Sequence, residues 1–251
     1  MEDTMSSQRL IGGSKLRQLS AKWLKLYREL YADDRLQPRL AAPFLSVPPP
    51  GYNRASGFSI LLVGRATRGQ WCGTTGPQAT VATTRDATRS FLKLDCSTPF
   101  WRFAQDLSVG IAGICGDEPC NNLRNLVWTN ICKLGEIQRN PRGKVFDRQR
   151  ELAIETLRAE IETYRPNLIV FVSGEWGDQW VEEVVGETKK EPWRDATTYW
   201  WREAGGKRPA MLWTKNHPQG RSRQVIKGWL RKAEMLAVGA KGRPRSRGGA
   251  L

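Results

Sequence analysis

Residues 165–174 read Arg-Pro-Asn-Leu-Ile-Val-Phe-Val-Ser-Gly, and this stretch decides the fold. The run Leu168–Ser173 is apolar rather than alternating, the pattern of a strand covered on both faces, and such strands are usually parallel. Pro166 just before it closes a helical pattern over Phe146–Tyr164, where Ile154, Leu157, Ile161 and Tyr164 form one stripe. Three more runs share the strand's character: Phe58–Gly64, Leu126–Ile131 and Ala210–Thr214. Glu175–Val185 carries a weaker helical pattern. After the last run, Ser222 suits the cap of a helix that puts Val225, Ile226, Trp229, Leu230 and Ala233 on one face. Strands alternating with helices predict an α/β three-layer sandwich whose central, mostly parallel four-stranded sheet is flanked by helices.

Upstream, residues 14–32 place Leu16, Leu19, Trp23, Leu26, Tyr27 and Leu30 at helical spacing, with Lys15, Lys22, Lys25 and Arg28 opposite. This predicts an amphipathic helix packed on the domain. Ala42–Gly51, with Pro43 and Pro48–Pro50, cannot be helix interior and reads as a connector. The expected division is residues 1–50 for helix and connector, 51–238 for the α/β domain, and 239–251 for a basic flexible tail. The insert 65–125 is rich in Gly, Thr and Cys, and loops of such length are usually functional or hold small elements of their own.

The net charge of +15 favours polyanionic partners. No apolar run approaches the ~18 residues that span a bilayer, so no membrane partner is expected. The opening MEDTMSSQRL carries acids and no apolar core, which predicts a cytoplasmic protein. The five cysteines (Cys72, Cys96, Cys115, Cys120 and Cys132) are odd in number, and only Cys115 and Cys120 are closely spaced. With one histidine in the chain, free thiols are expected, and neither a metal nor a cofactor. No obligate protein partner is evident.

In an open parallel sheet, ligands bind beyond the carboxyl ends of the strands. The first strand leads into Gly64-Arg65-Ala66-Thr67-Arg68-Gly69-Gln70-Trp71, and the second ends in Thr129-Asn130-Ile131-Cys132-Lys133. The third leads into Ser173-Gly174, and the fourth into Lys215-Asn216-His217-Pro218-Gln219-Gly220-Arg221-Ser222. Glycines, cations, an amide and the chain's only histidine converge on one edge. An asparagine inside an apolar run is costly unless its amide is paired. Such an amide either makes a structural hydrogen bond or reads a nucleobase edge. His217 leaves a buried strand and precedes a helix start, whose amides suit a phosphate.

These pieces together resemble the uracil-DNA glycosylase superfamily. The matching motifs are Gly64–Gly69 after the first strand, Asn130 within Val127–Cys132, His217-Pro218 after the last strand, and the strand of RPNLIVFVSG. The resemblance runs from residue 58 to about 222. It implies a DNA glycosylase that flips out a base and hydrolyses its N-glycosidic bond, leaving an abasic site. It further implies that His217 donates to the departing base and that Asn130 reads it. The first loop (Gly64, Arg65, Ala66, Thr67, Arg68, Gln70 and Trp71), with Phe100, Pro218, Arg221 and Ser222, would then bind base or backbone. Trp71 or Phe100 would stack on the flipped ring, core packing being the plainer reading of either.

The first motif departs from the family, because Gly64-Arg65-Ala66-Thr67 lacks the acid or amide that positions water. Asp86, Asp106 and Glu118 are the insert's alternatives, and Asn130 itself is another. Leu134 and Arg139 stand where iron–sulfur subfamilies place cysteines, so no cluster is carried over. A remodelled first loop fits a bulky base, which points to modified cytosine in phage DNA and antiviral defence as the setting. The rival expectation is a catalytically inactive module that binds modified or damaged bases in double- or single-stranded DNA. A nuclease is disfavoured by the lack of paired carboxylates at a strand end.

Overall fold

The structure, a computed structural model, describes residues 14–49, 52, 57–66, 76, 78–93, 98–116, 123–137, 139–174, 178–186, 188–193, 196–201 and 209–241. In chain order the elements are α1 (Ser14–Tyr31), β1 (Ile60–Gly64), α2 (Val81–Lys93), α3 (Pro99–Cys115), β2 (Leu126–Asn130) and α4 (Gly143–Tyr164). They continue with β3 (Leu168–Phe171), α5 (Asp178–Val185), β4 (Thr188–Trp193), β5 (Ala196–Trp201), β6 (Ala210–Thr214) and α6 (Arg223–Lys241).

The protein is α/β, with helices on both faces of a mixed six-stranded sheet ordered β2-β1-β3-β6-β5-β4. The four apolar runs form its parallel part, β2-β1-β3-β6. The expected four-stranded sheet is therefore incomplete, since the β4–β5 hairpin adds two antiparallel strands beyond β6. Thr-Lys-Lys-Glu-Pro-Trp in β4 escapes a search for continuous apolar runs because an edge strand needs only partial burial. Pro192, which has no N–H to donate, is tolerated there for the same reason.

Alternation along each parallel strand separates two cores. Leu61, Val63, Ile169, Phe171 and Met211 pack on one side with α4, α5 and α1. Ile60, Leu62, Leu168, Val170 and Leu212 pack on the other with α3 and α6. Helix α1 lies on α4, where buried Trp23 donates from Nε1 to Thr156 Oγ1 at 2.9 Å. Its rim is laced by exposed ion pairs Lys15–Glu162, Lys22–Glu155 and Glu29–Arg148. Each contributes about 1 kcal/mol or less.

The insert contains two helices that the reading of its sequence leaves unassigned, though Phe103, Leu107 and Ile111 of α3 stand at helical spacing and are buried. Helix α2 is Thr-rich, and α3 is interrupted by Gly110 and Gly113. Yet Thr98 accepts from Trp101 N–H at the start of α3 with Pro99 in the first turn. That is a helix-start signature readable from the sequence. Among the described residues, no helix is long and apolar enough to cross a membrane.

Candidate functional site

The parallel strands β2-β1-β3-β6 end together, and the chain leaving them builds the site. Gly64 pairs in register with Asn130. The ladder runs one step further, with Ile131 N–H donating to Gly64 O at 2.9 Å and Cys132 N–H to Arg65 O at 2.8 Å. Asn130 thus sits inside the β1–β2 ladder and is only 2% exposed. An ideal Cβ on Gly64 would lie 2.5 Å from Asn130 Oδ1, 3.5 Å from Phe100 Cε2 and 3.6 Å from Trp128 Nε1. Glycine at position 64 is therefore what admits the Asn130 amide to this edge.

The opposite wall follows β6. Thr214 Oγ1 donates to Asn216 O at 2.6 Å, pinning the turn that presents His217. Pro218 is buried, and Arg221 N–H closes a turn onto Pro218 O at 3.2 Å with Gly220 at φ +80°. That positive φ is why glycine stands in the turn's third position. Ser222 then caps α6, its Oγ accepting from Val225 N–H at 3.4 Å.

Gln219 N–H donates to His217 Nδ1 at 3.2 Å. An Nδ1 that accepts leaves the ring proton on Nε2, so this histidine is a neutral Nε2–H donor. Phe100, at the start of α3, lies parallel to the His217 ring, with centroids 5.8 Å apart and planes at 12°. The same phenyl ring meets Trp101 edge-on at 5.2 Å and Trp128 at 5.9 Å. Phe100 thereby links the asparagine and histidine walls, with a ring edge near Gly64 and one face toward His217.

Arg65 spans the middle. Its Nε donates to Ser173 O, and its Nη2 lies against Gly174, where a Cβ would also meet Lys215 O and Asn216 Cα. Gly174 has φ +67° and no room for a side chain beside that guanidinium, so two independent constraints favour glycine there. Trp213 Nε1 donates to Gly174 O at 3.1 Å and fixes the same turn. Ser173 and Gly174, which follow β3, and Trp128 of β2 join the site beyond the residues assigned a binding or catalytic role from the sequence. The Ser-Gly pair after a buried strand was the available signal.

The candidate residues thus divide. Gly64, Arg65, Phe100, Asn130 and His217 surround one edge, with half-buried Ala66 beside Arg65 and buried Pro218 behind the histidine. Arg221 and Ser222 stand at the exposed start of α6. Thr67, Arg68, Gly69, Gln70 and Trp71 lie outside the described residues, as do Glu118, Cys72, Cys96 and Cys120.

Of the carboxylates considered, Asp86 is an exposed residue of α2 paired with Arg89. Asp106 is exposed two turns into α3. Lys133, a cation next to the β2 end, is committed elsewhere: fully buried, its ammonium meets Glu160 at 2.8 Å and also bonds Thr129 Oγ1. Burial pushes that ammonium below its ordinary range, and Glu160 pulls it partly back. Cys115 is half-buried near the end of α3, and Cys132 is buried just past β2. Burial drives the Cys132 thiol well above its usual range, against the opposing charge of Lys133. Among the described residues, no three potential metal ligands come together.

No known family model matches the chain, and no curated protein matches it.

Proposed function

We propose that the protein is a monofunctional DNA glycosylase, which hydrolyses the N-glycosidic bond of a flipped, modified or damaged base. The observation that carries this reading is the pairing of a buried amide, Asn130, with a fixed neutral donor, His217, around Phe100 at the carboxyl edge of a parallel sheet. An amide both donates and accepts along a base edge. A neutral imidazole donor suits the oxygen of a departing base, where negative charge develops.

In the reaction the C1′–N bond breaks and its electron pair leaves with the base. Water adds to C1′ and gives up a proton, so that free base and an abasic sugar result. The sugar passes through an oxocarbenium-like state, so stabilising the leaving base lowers the barrier even where water is weakly activated. The described residues of the edge hold no carboxylate. On the leaving-group side, His217 Nε2–H meets the base oxygen and the Arg65 cation adds favourable charge. Asn130 holds the base and orients water. Antiviral action on modified phage cytosine, within the cytoplasm, is the setting the remodelled first loop favours.

The first motif, Gly64-Arg65-Ala66-Thr67, carries neither acid nor amide, which supports the second reading, a module that binds modified bases without cleaving them. Incubation of the protein with DNA containing uracil, hypoxanthine, 5-hydroxymethyluracil, or hydroxymethylated or glucosylated cytosine separates the two. Release of one free base, detected by mass, is the expected result. Salt-sensitive binding with no base released from any substrate would leave only the binding module.

A further inference from the structure

Helix α6 begins at the turn that presents His217, and its exposed face carries Arg223, Lys227 and Arg231 at four-residue intervals. Among the described residues, none of these three makes an ion pair, whereas Lys15 and Lys22 of α1 are both neutralised by carboxylates of α4. The next position in the row is Met235, 66% exposed, which ends the cationic stretch. At 1.5 Å per residue the three cations span about 12 Å, the axial length of about three to four phosphates of one strand. Exposed Arg221 stands in the turn between His217 and the row, and exposed Lys215 precedes the histidine, so cations flank His217 along the chain. Helices in globular proteins ordinarily intersperse acids among such cations. Here Glu234 is instead turned toward α3, where a Cβ on Gly110 would meet its Oε1 at 2.7 Å.

We propose that the row Arg223–Lys227–Arg231 is a backbone track, which binds consecutive phosphates of one DNA strand and leads that strand into the Asn130–His217 site. The inference rests on the reading of that site as DNA-directed. The track reads no sequence; it sets the register of the strand and the salt dependence of binding.

The test compares the full chain with two triple variants of equal charge change, Arg223→Gln/Lys227→Gln/Arg231→Gln on α6 and Lys15→Gln/Lys22→Gln/Lys25→Gln on α1. Affinity for a labelled 20-mer is measured against salt, for single strand and duplex, after unfolding curves establish that each variant is folded. Each phosphate contact contributes about 0.7 to the slope of log affinity on log salt for single strands and about 0.9 for duplex. The α6 variant should therefore lose about 2–3 units of slope and bind about 10²–10³-fold more weakly at 0.1 M salt. The α1 variant should keep the native slope. An unchanged slope in the α6 variant, or equal losses in both variants, overturns the track while leaving DNA binding intact. Failure of the native chain to bind either DNA overturns the track together with the reading of the site. Undiminished DNA binding by the α6 variant alongside lost binding to an acidic peptide would assign the row to a protein partner instead.

Discussion

Gly64→Ala places a methyl group 2.5 Å from Asn130 Oδ1, where ordinary contact begins at 3.4 Å. The amide must retreat by about 1 Å to restore van der Waals separation. Phe100 and Trp128 close the neighbouring directions at 3.5 and 3.6 Å, and the β1–β2 ladder prevents the backbone from yielding. Overpacking of this kind costs about 1–3 kcal/mol. Gly64 has no positive φ, so the alanine meets no backbone strain and the whole cost belongs to the contact. In an Asn130→Ala background the obstructing oxygen is gone, and the same substitution should cost almost nothing. Urea unfolding of the two single variants and the double variant measures the coupling directly. A coupling of about 1–3 kcal/mol is expected; additivity within about 0.5 kcal/mol would refute the packing of Asn130 over Gly64. The activity readout should follow, since a displacement of about 1 Å at a reacting group lowers turnover by about 10²-fold.

Lys133→Met should destabilise the fold by about 3–5 kcal/mol in denaturant, because it leaves the Glu160 carboxylate buried without its cation. Lys133→Met/Glu160→Met should recover most of that loss; a double variant as unstable as the single would contradict the account. The buried Cys132 thiol keeps its proton in the fold at pH values where an unfolded thiol, with a pKa of about 8.5, has lost it. Stability from this group therefore falls as pH rises above about 8.5, by up to about 1.4 kcal/mol per pH unit. The stability–pH slope of Cys132→Ala should be shallower by that amount between pH 9 and 10, and parallel slopes would disprove the buried thiol. Trp23→Ala removes the fully buried anchor of α1 and should cost about 3–5 kcal/mol. A loss under about 1 kcal/mol would show that α1 is not packed as described.

The parallel part of the sheet was legible because burial on both faces forces continuous apolar runs, as in Leu-Ile-Val-Phe of β3. The outer hairpin was not, because β4 mixes lysines, an acid and a proline. Helix α3 lies within the long insert, where Thr98-Pro99 marks its start and Phe103, Leu107 and Ile111 repeat at helical spacing. At the site, chain order and strand ends sufficed to bring Gly64, Asn130 and His217 to one edge. The parallel contact of Phe100 with His217 depends on how α3 lies across the sheet, which no local pattern encodes. Nor does sequence distinguish Lys133, turned inward to Glu160, from Arg65, which crosses the site. Both are cations just past a strand end, and only tertiary packing separates them.

Counting alkali-labile sites after incubation of DNA with the native protein, Asn130→Ala and His217→Ala, without added metal, separates a glycosylase from a binding module. Abasic sites are expected on one modified substrate with the native protein, reduced by about 10²-fold or more in each variant. Abasic sites formed equally well by both variants would remove these residues from the chemistry. None on any substrate, despite native DNA binding, would contradict the glycosylase itself.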